Sequence, residues 1–265
     1  MVFGQKLPLD LNTFYVTIDT TSYKKLFENS FVKDTLFICR SETNSTNIET
    51  YSGKYLIGNS ATIEFFIPMP TNNPGDTFGD IGIEFKTRKI GELQKYSTEN
   101  TKIDSTYNLT DSIKIPWYKS LEIKNFNPHL EVSILEYQKQ YLEYLGFTTE
   151  EINSSMTYAQ YNSILAEGKK YPRKFNSIKS LELILNQNEF NKLKESITIF
   201  GGSTKGKKLY LNDCTINCAI KKGNNFKIKK LVLDLVDEVI AKEIKISENI
   251  ILQTKNKEAI LTFTY

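Results

Sequence analysis

Glu64 stands in the middle of GNSATIEFFIP, residues 58–68, a stretch whose aromatic and β-branched residues otherwise read as a β-strand. A carboxylate that is buried, charged and unpaired in such a strand costs several kcal/mol, so it needs a partner, a raised pKa or a water-filled cavity. Each of the three implies a site. The alternative is a solvent-facing Glu64 with Thr62 beside it. Alternation along LNTFYVTID puts Thr13, Tyr15 and Thr17 on one face of a strand, and along DIGIEFKT it puts Glu84 with Gly82.

Other chemistries are limited by composition. The one histidine stands in no context that marks a Ser/His/Asp set or a catalytic Cys/His pair, and the three cysteines have no metal-type spacing to it, so a structural zinc site is not expected. That residue, His129 in NPHLEVS, reads as a surface or loop histidine; a general-base role stays open, but the sequence names no partner for it. Cys214 and Cys218 share one strand-like run, which holds them roughly 13 Å apart and out of disulfide reach, so reduced core thiols are expected, Cys39 included. GGSTKGKK at 201–208 matches a phosphate loop only in Gly201, Gly206 and Lys207. Lys208 replaces the required hydroxyl residue and a strand follows instead of a helix, so a basic hairpin loop is the better reading.

The net charge of +3 gives no electrostatic case for nucleic acid. The lysines of KKGNNFKIKK at 221–230 read as the edge of a solvated strand. No apolar run approaches a membrane span, and MVFGQKLPLDLN has no signal-type apolar region, so a cytoplasmic protein without membrane contact is expected.

The elements that must position these residues follow a repeating order. TFYVTID is a strand, TSYKKLFENSF a helix with Tyr23, Leu26 and Phe27 on one face, and TLFICRSET, KYLIGN and ATIEFFIPM are strands before the break at PTNNPGD. DIGIEFKT restarts the βαβββ pattern, with KIGELQKYST as a short helix and STYNLT, IKIPWYKSLEIK and LEVSILEYQ as strands. Residues 138–172 then carry apolar residues at helical spacing, read as two helices joined near Gly146 with Thr148 and Glu151 as a cap. Beyond Pro172 the sequence is strand-rich, with helices at QNEFNKLKES and VDEVIAKE. The expected fold is α+β: paired βαβββ modules in residues 1–137, a helical connector in 138–172, and a degenerate β-rich repeat in 173–265.

This arrangement, with the phrases LNTFYVTIDTTSYKKL, GKYLIGNSATIEFF and GIEFKT, resembles the vicinal oxygen chelate superfamily of glyoxalases and dioxygenases, and within it an uncharacterised glyoxalase-like family. The resemblance covers residues 7–145 well and the remainder weakly. It implies that each module curls into half of a cup. It also implies a divalent metal, held by His or Gln on the first strand and Glu on the last strand of each module. Carried over, those places fall on Thr13 and on Glu64, 51 residues later, and on Gly82 and on Glu136, 54 residues later in SILEYQ.

Two carboxylates without imidazoles suit at most a weakly held Mg, Mn or Ca, so no resident cofactor is expected. The primary reading is a small-molecule lyase or isomerase acting on an oxygenated metabolite through Glu64 and Glu136, with Thr13, Tyr15, Thr17, Tyr55, Glu84 and Tyr137 as ligand-binding residues. The rival is a non-catalytic binding or sequestering protein using the same cup. A third reading makes the Tyr-rich helices, with Tyr141, Tyr144, Tyr158 and Tyr161 exposed, a protein-interaction surface. The sequence does not fix the oligomeric state.

Overall fold

The computed structural model describes residues 8–70, 75–110, 113–124, 129–166, 174–223 and 227–264. Its first eight strands form one sheet: β1 (Leu9–Thr17), β2 (Ile38–Ser45), β3 (Thr50–Ile57), β4 (Thr62–Phe66), β5 (Ile81–Thr87), β6 (Thr101–Thr110), β7 (Ile113–Ile123) and β8 (Leu130–Tyr137). Their order is β2-β3-β4-β1-β5-β8-β7-β6. β1 runs parallel to β4 and β5 parallel to β8, while β1 and β5 pair antiparallel, so two modules meet back to back at their first strands.

The crossovers differ between the modules. In the first it is α1 (Thr20–Glu28), started by Asp19, whose carboxylate accepts the Ser22 N–H at 2.8 Å. In the second the expected helix at KIGELQKYST shrinks to a 3-10 turn at Leu93–Tyr96, because Gly91 adopts φ 88 just ahead of it and leaves too few residues for an α-helix.

The sheet curls until its two edges meet. Thr46 on the β2 side bridges Asn108 in β6, and the Tyr107 N–H donates to the Asn47 side chain at 2.7 Å. Closing the edges in this way satisfies backbone groups that would otherwise be open for aggregation, and it encloses the concave face. The alternate residues Phe14, Val16, Ile63, Phe65, Ile83 and Phe85 turn to the convex side, where they are fully buried.

One end of the cup is covered by three short helices, α2 (Lys139–Tyr144), α3 (Thr149–Asn153) and α4 (Tyr158–Leu165), where the sequence suggested two. Thr148 with Glu151, and Thr157 with Gln160, form reciprocal caps that set the extra break. The helices carry a small core of their own around Phe147, Ile152 and Tyr161. They are tied to the sheet by the Tyr158 N–H to Asp10 at 2.9 Å and by the Tyr158 and Thr62 hydroxyls at 2.8 Å.

The remaining chain forms a second sheet from β9 (Phe175–Leu185), β10 (Ser203–Lys205), β11 (Lys208–Leu211), β12 (Cys214–Ile220), β13 (Lys227–Lys245) and β14 (Ile250–Phe263), in the order β10-β11-β12-β9-β13-β14. With α5 (Gln187–Ile199), β9 to β12 make one more βαβββ module, β9 lying parallel to β12. Its core merges with that of the cup, Phe37 meeting Phe175 and Phe85 meeting Phe200 edge-to-face at ring separations of 5.4 and 6.2 Å.

VDEVIAKE is not a helix. It lies within β13, where Val239 pairs with Asn256 across an irregular hairpin; its β-branched residues and the long pairing with β14 override a helix pattern too short to stand alone. GGSTKGKK forms the β10–β11 hairpin, with Gly206 at φ 60 in the turn. Cys214 and Cys218 are buried free thiols in β12. Residues 71–74 of PTNNPGD, 224–226 of KKGNNFKIKK, 167–173 at the end of the helical stretch and the first seven residues lie outside the described residues. Among the described residues no helix is long and apolar enough to cross a membrane.

Candidate functional site

The concave face of the first sheet, roofed by α2 and α4, encloses a cavity of about 830 Å³. Thr13 of β1, Tyr55 of β3, Glu64 of β4, Glu84 of β5 and Tyr137 of β8 all line it. The sequence parity places each of these side chains on the inner face, and the register brings them together: Thr13 lies opposite Glu84 on one side and Thr62 on the other.

Glu64 makes no hydrogen bond or ion pair among the described residues, although protein surrounds it on every side but the cavity. Burial, and then the negative Glu42 nearby, push its pKa up to about 8. Glu84 is held well above the usual carboxylate range by burial and next by the charges of Glu64, Glu131 and Glu122; a hydrogen bond from Thr13 acts in the opposite direction. The floor of the cup thus carries carboxyls that resist losing their protons at neutral pH.

Tyr15 and Thr17 occupy the inner face but close one end of the cup instead of lining the open space. The Tyr15 hydroxyl donates to Glu131 at 2.9 Å, and the Thr17 hydroxyl donates to the Gly75 carbonyl. Burial and then Glu122 push Glu131 up to about 7, with the Tyr15 hydrogen bond opposing them. The Tyr15 ring lies directly across Gly82, where a Cβ would come within 1.8 Å of its Cε1. Glycine is required there because the aromatic ring fills the place of its side chain.

Glu136 requires a correction. It lies on β8, the strand equivalent to β4, but faces the opposite side of the sheet, where it is buried and accepts the Leu93 N–H at 2.8 Å. Its neighbours Leu135 and Tyr137 are the residues that reach the cavity. The inward carboxylate of β8 is Glu131: Gly82 pairs with Glu131 as Tyr15 pairs with Glu64, at the same sequence separation. Glu136→Ala is expected to cost about 1 kcal/mol in urea denaturation, by orphaning a buried N–H, and to leave ligand affinity in the cup unchanged.

Sequence reasoning also missed part of the wall, namely Glu42, Tyr51, Trp117 and Tyr118. They sit on β2, β3 and β7, whose inner faces become lining only because the sheet curls. Nor are the helix tyrosines an exposed surface: Tyr158 and Tyr161 are buried, Tyr161 stacks on Tyr137 with ring centroids 5.0 Å apart, and Tyr144 alone of the four is exposed. His129 has a partner, Asp80, at 2.8 Å, away from the cavity.

The divalent metal implied by the superfamily resemblance does not fit this site. The Tyr15 ring fills the space of the second-module first-strand ligand, and among the described residues no three His, Cys, Asp or Glu side chains converge to hold an ion.

A model of the family described as a family of unknown function, DUF5829, matches residues 11–263. No curated protein matches the sequence. A hypothetical protein from Staphylococcus aureus superposes with a TM-score of 0.57 at 12% identity, over 90% of this chain and 95% of that one. A fusion of a xylose isomerase-like TIM barrel with a 4-hydroxyphenylpyruvate dioxygenase superposes with a TM-score of 0.51 at 8% identity, over 88% of this chain and 38% of the fusion. At such identities these likenesses show the fold alone, a curled cup of paired βαβββ modules, and no activity.

Proposed function

Since the chain belongs to the DUF5829 family of unknown function, whose description names no chemistry, we propose from the site alone that it binds a small molecule in the first-sheet cup. The observation that carries this reading is Glu64: a carboxylate without a partner among the described residues, enclosed by protein and aimed into a cavity of about 830 Å³, a size suited to metabolites. An unpaired acid in such a place is an energetic cost to the empty protein, and a ligand that satisfies it recovers that cost.

A catalytic reading has one observation in its favour. A carboxyl with a pKa near 8 is poised to donate or accept a proton at neutral pH. Its partner in a lyase or isomerase step would be Glu84, which shares the cavity, and not Glu136, which faces away. Native mass spectrometry of freshly purified protein tests the binding reading: a retained small molecule, lost in a variant with Tyr137→Ala and Tyr55→Ala that keeps its circular dichroism spectrum, supports it. Retention unaffected by those changes would place the ligand elsewhere.

A further inference from the structure

Resting on the reading of the cup as a small-molecule site, we propose that its ligand is an organic cation, an amine or quaternary ammonium. Its charged centre sits over Glu64 and Glu84, among the surrounding aromatic faces. Three carboxylates, Glu42, Glu64 and Glu84, line the cavity against one guanidinium, Arg40, which already lies 3.9 Å from Glu42.

The chain's own ammonium groups near the cup are turned to other uses. Lys86 of β5 is buried and donates to the Met156 carbonyl at 2.9 Å, and Lys54 of β3 lies over the Tyr23 ring, 4.6 Å from its centroid. Among the described residues, therefore, no lysine or arginine is paired with Glu64. The wall around these acids is aromatic, with Tyr51, Tyr55, Trp117, Tyr118, Tyr137 and Tyr158 all reaching the cavity. Electron-rich ring faces, with carboxyls that can ionise towards a cation, are what an ammonium ion recognises, whereas an anion would meet the negative ring faces and hold the acids in their protonated form.

Proton linkage separates this class from its competitors. The groups acting with Glu64 are Glu42 of β2, Tyr51 and Tyr55 of β3, Glu84 of β5, Tyr118 of β7 and Tyr158 of α4; Glu122 and Glu131 also act on Glu84. A bound cation stabilises the ionised carboxylates, so protons leave on binding and affinity rises with pH. A neutral ligand that accepts hydrogen bonds from the protonated acids would bind more weakly as pH rises.

Trp117 is the chain's single tryptophan and lines the cavity, so its emission reports occupancy directly. The probe is benzyltrimethylammonium, compared with benzyl alcohol, benzoate and calcium chloride. Saturable quenching by the ammonium at or below about 1 mM is expected, tightening about tenfold from pH 6.5 to 8.5 and weakening about tenfold in Glu64→Gln. Tighter binding of benzyl alcohol, benzoate or calcium, or ammonium binding that ignores pH and Glu64→Gln, would overturn the cation assignment and leave the cup as a site. Silence of Trp117 towards all four probes at about 10 mM would overturn the cup reading as well.

Discussion

Gly82→Ala is expected to destabilise the protein by about 3 kcal/mol or more in urea denaturation. The new Cβ would stand 1.8 Å from Tyr15 Cε1 and 2.4 Å from Cδ1. The ring cannot swing away cheaply. Its hydroxyl is anchored on Glu131 at 2.9 Å and its edge packs against Phe66 at a centroid distance of 5.8 Å. The clash belongs to this pair alone, so in a Tyr15→Ala background the same Gly82→Ala change should cost little, and the double-mutant cycle should be strongly non-additive. Additive costs would mean that Gly82 serves backbone conformation instead of making room for Tyr15.

Stability should fall as pH rises from about 5 to 8, and Glu64→Gln should remove much of that fall. The sign follows from proton counting. The folded Glu64 carboxyl has a pKa raised to about 8, so across this window the native chain holds a proton that the unfolded chain, titrating near the ordinary carboxylate value, has already released. Its favourable contribution is full below the unfolded pKa and is lost as pH rises through the folded one. Glu84 and Glu131 act in the same direction.

Lys86, lowered to about 8 by burial, adds an opposing trend only above that pH, and the lowered Asp19 and Glu151 act only in the acid range below the window. Relative to the wild type, Glu64→Gln is expected to gain about 2 kcal/mol at pH 8, allowing for the cavity side of the carboxyl that stays near water, and to be close to parity at pH 5. Urea titrations at the two pH values measure it, and a variant less stable than the wild type at pH 8 would show that the ionised carboxylate is favourably paired.

What the sequence made legible was the local alternation and its repetition. TFYVTID, TIEFF and GIEFKT each announced a strand with one polar face, and from parity alone Thr13, Glu64 and Glu84 could be put on the inner side, where they lie. Glu136 failed because its strand was right and its parity was not followed: in LEVSILEY the face of Tyr137 holds Leu135, Ser133 and Glu131, and Glu136 belongs with the buried set that includes Ile134.

Glu42, Trp117 and Tyr118 were out of reach, since their place in the wall depends on how far the sheet curls, a long-range property that brings Thr46 to Asn108. The helix read into VDEVIAKE failed for a related reason. Pairing with β14 decides that segment, and no local pattern encodes a partner many residues away.

The central claim is that the cup holds an unpartnered carboxyl that keeps its proton near neutral pH. The most direct test is a carbon-13 NMR titration of the glutamate side-chain carboxyls, with Glu64→Gln as the assignment. One resonance is predicted to titrate at about 8 and to vanish in that variant. If every glutamate titrated below about 5.5, within the ordinary carboxylate range, Glu64 would be solvated or paired and the account of the site would be wrong.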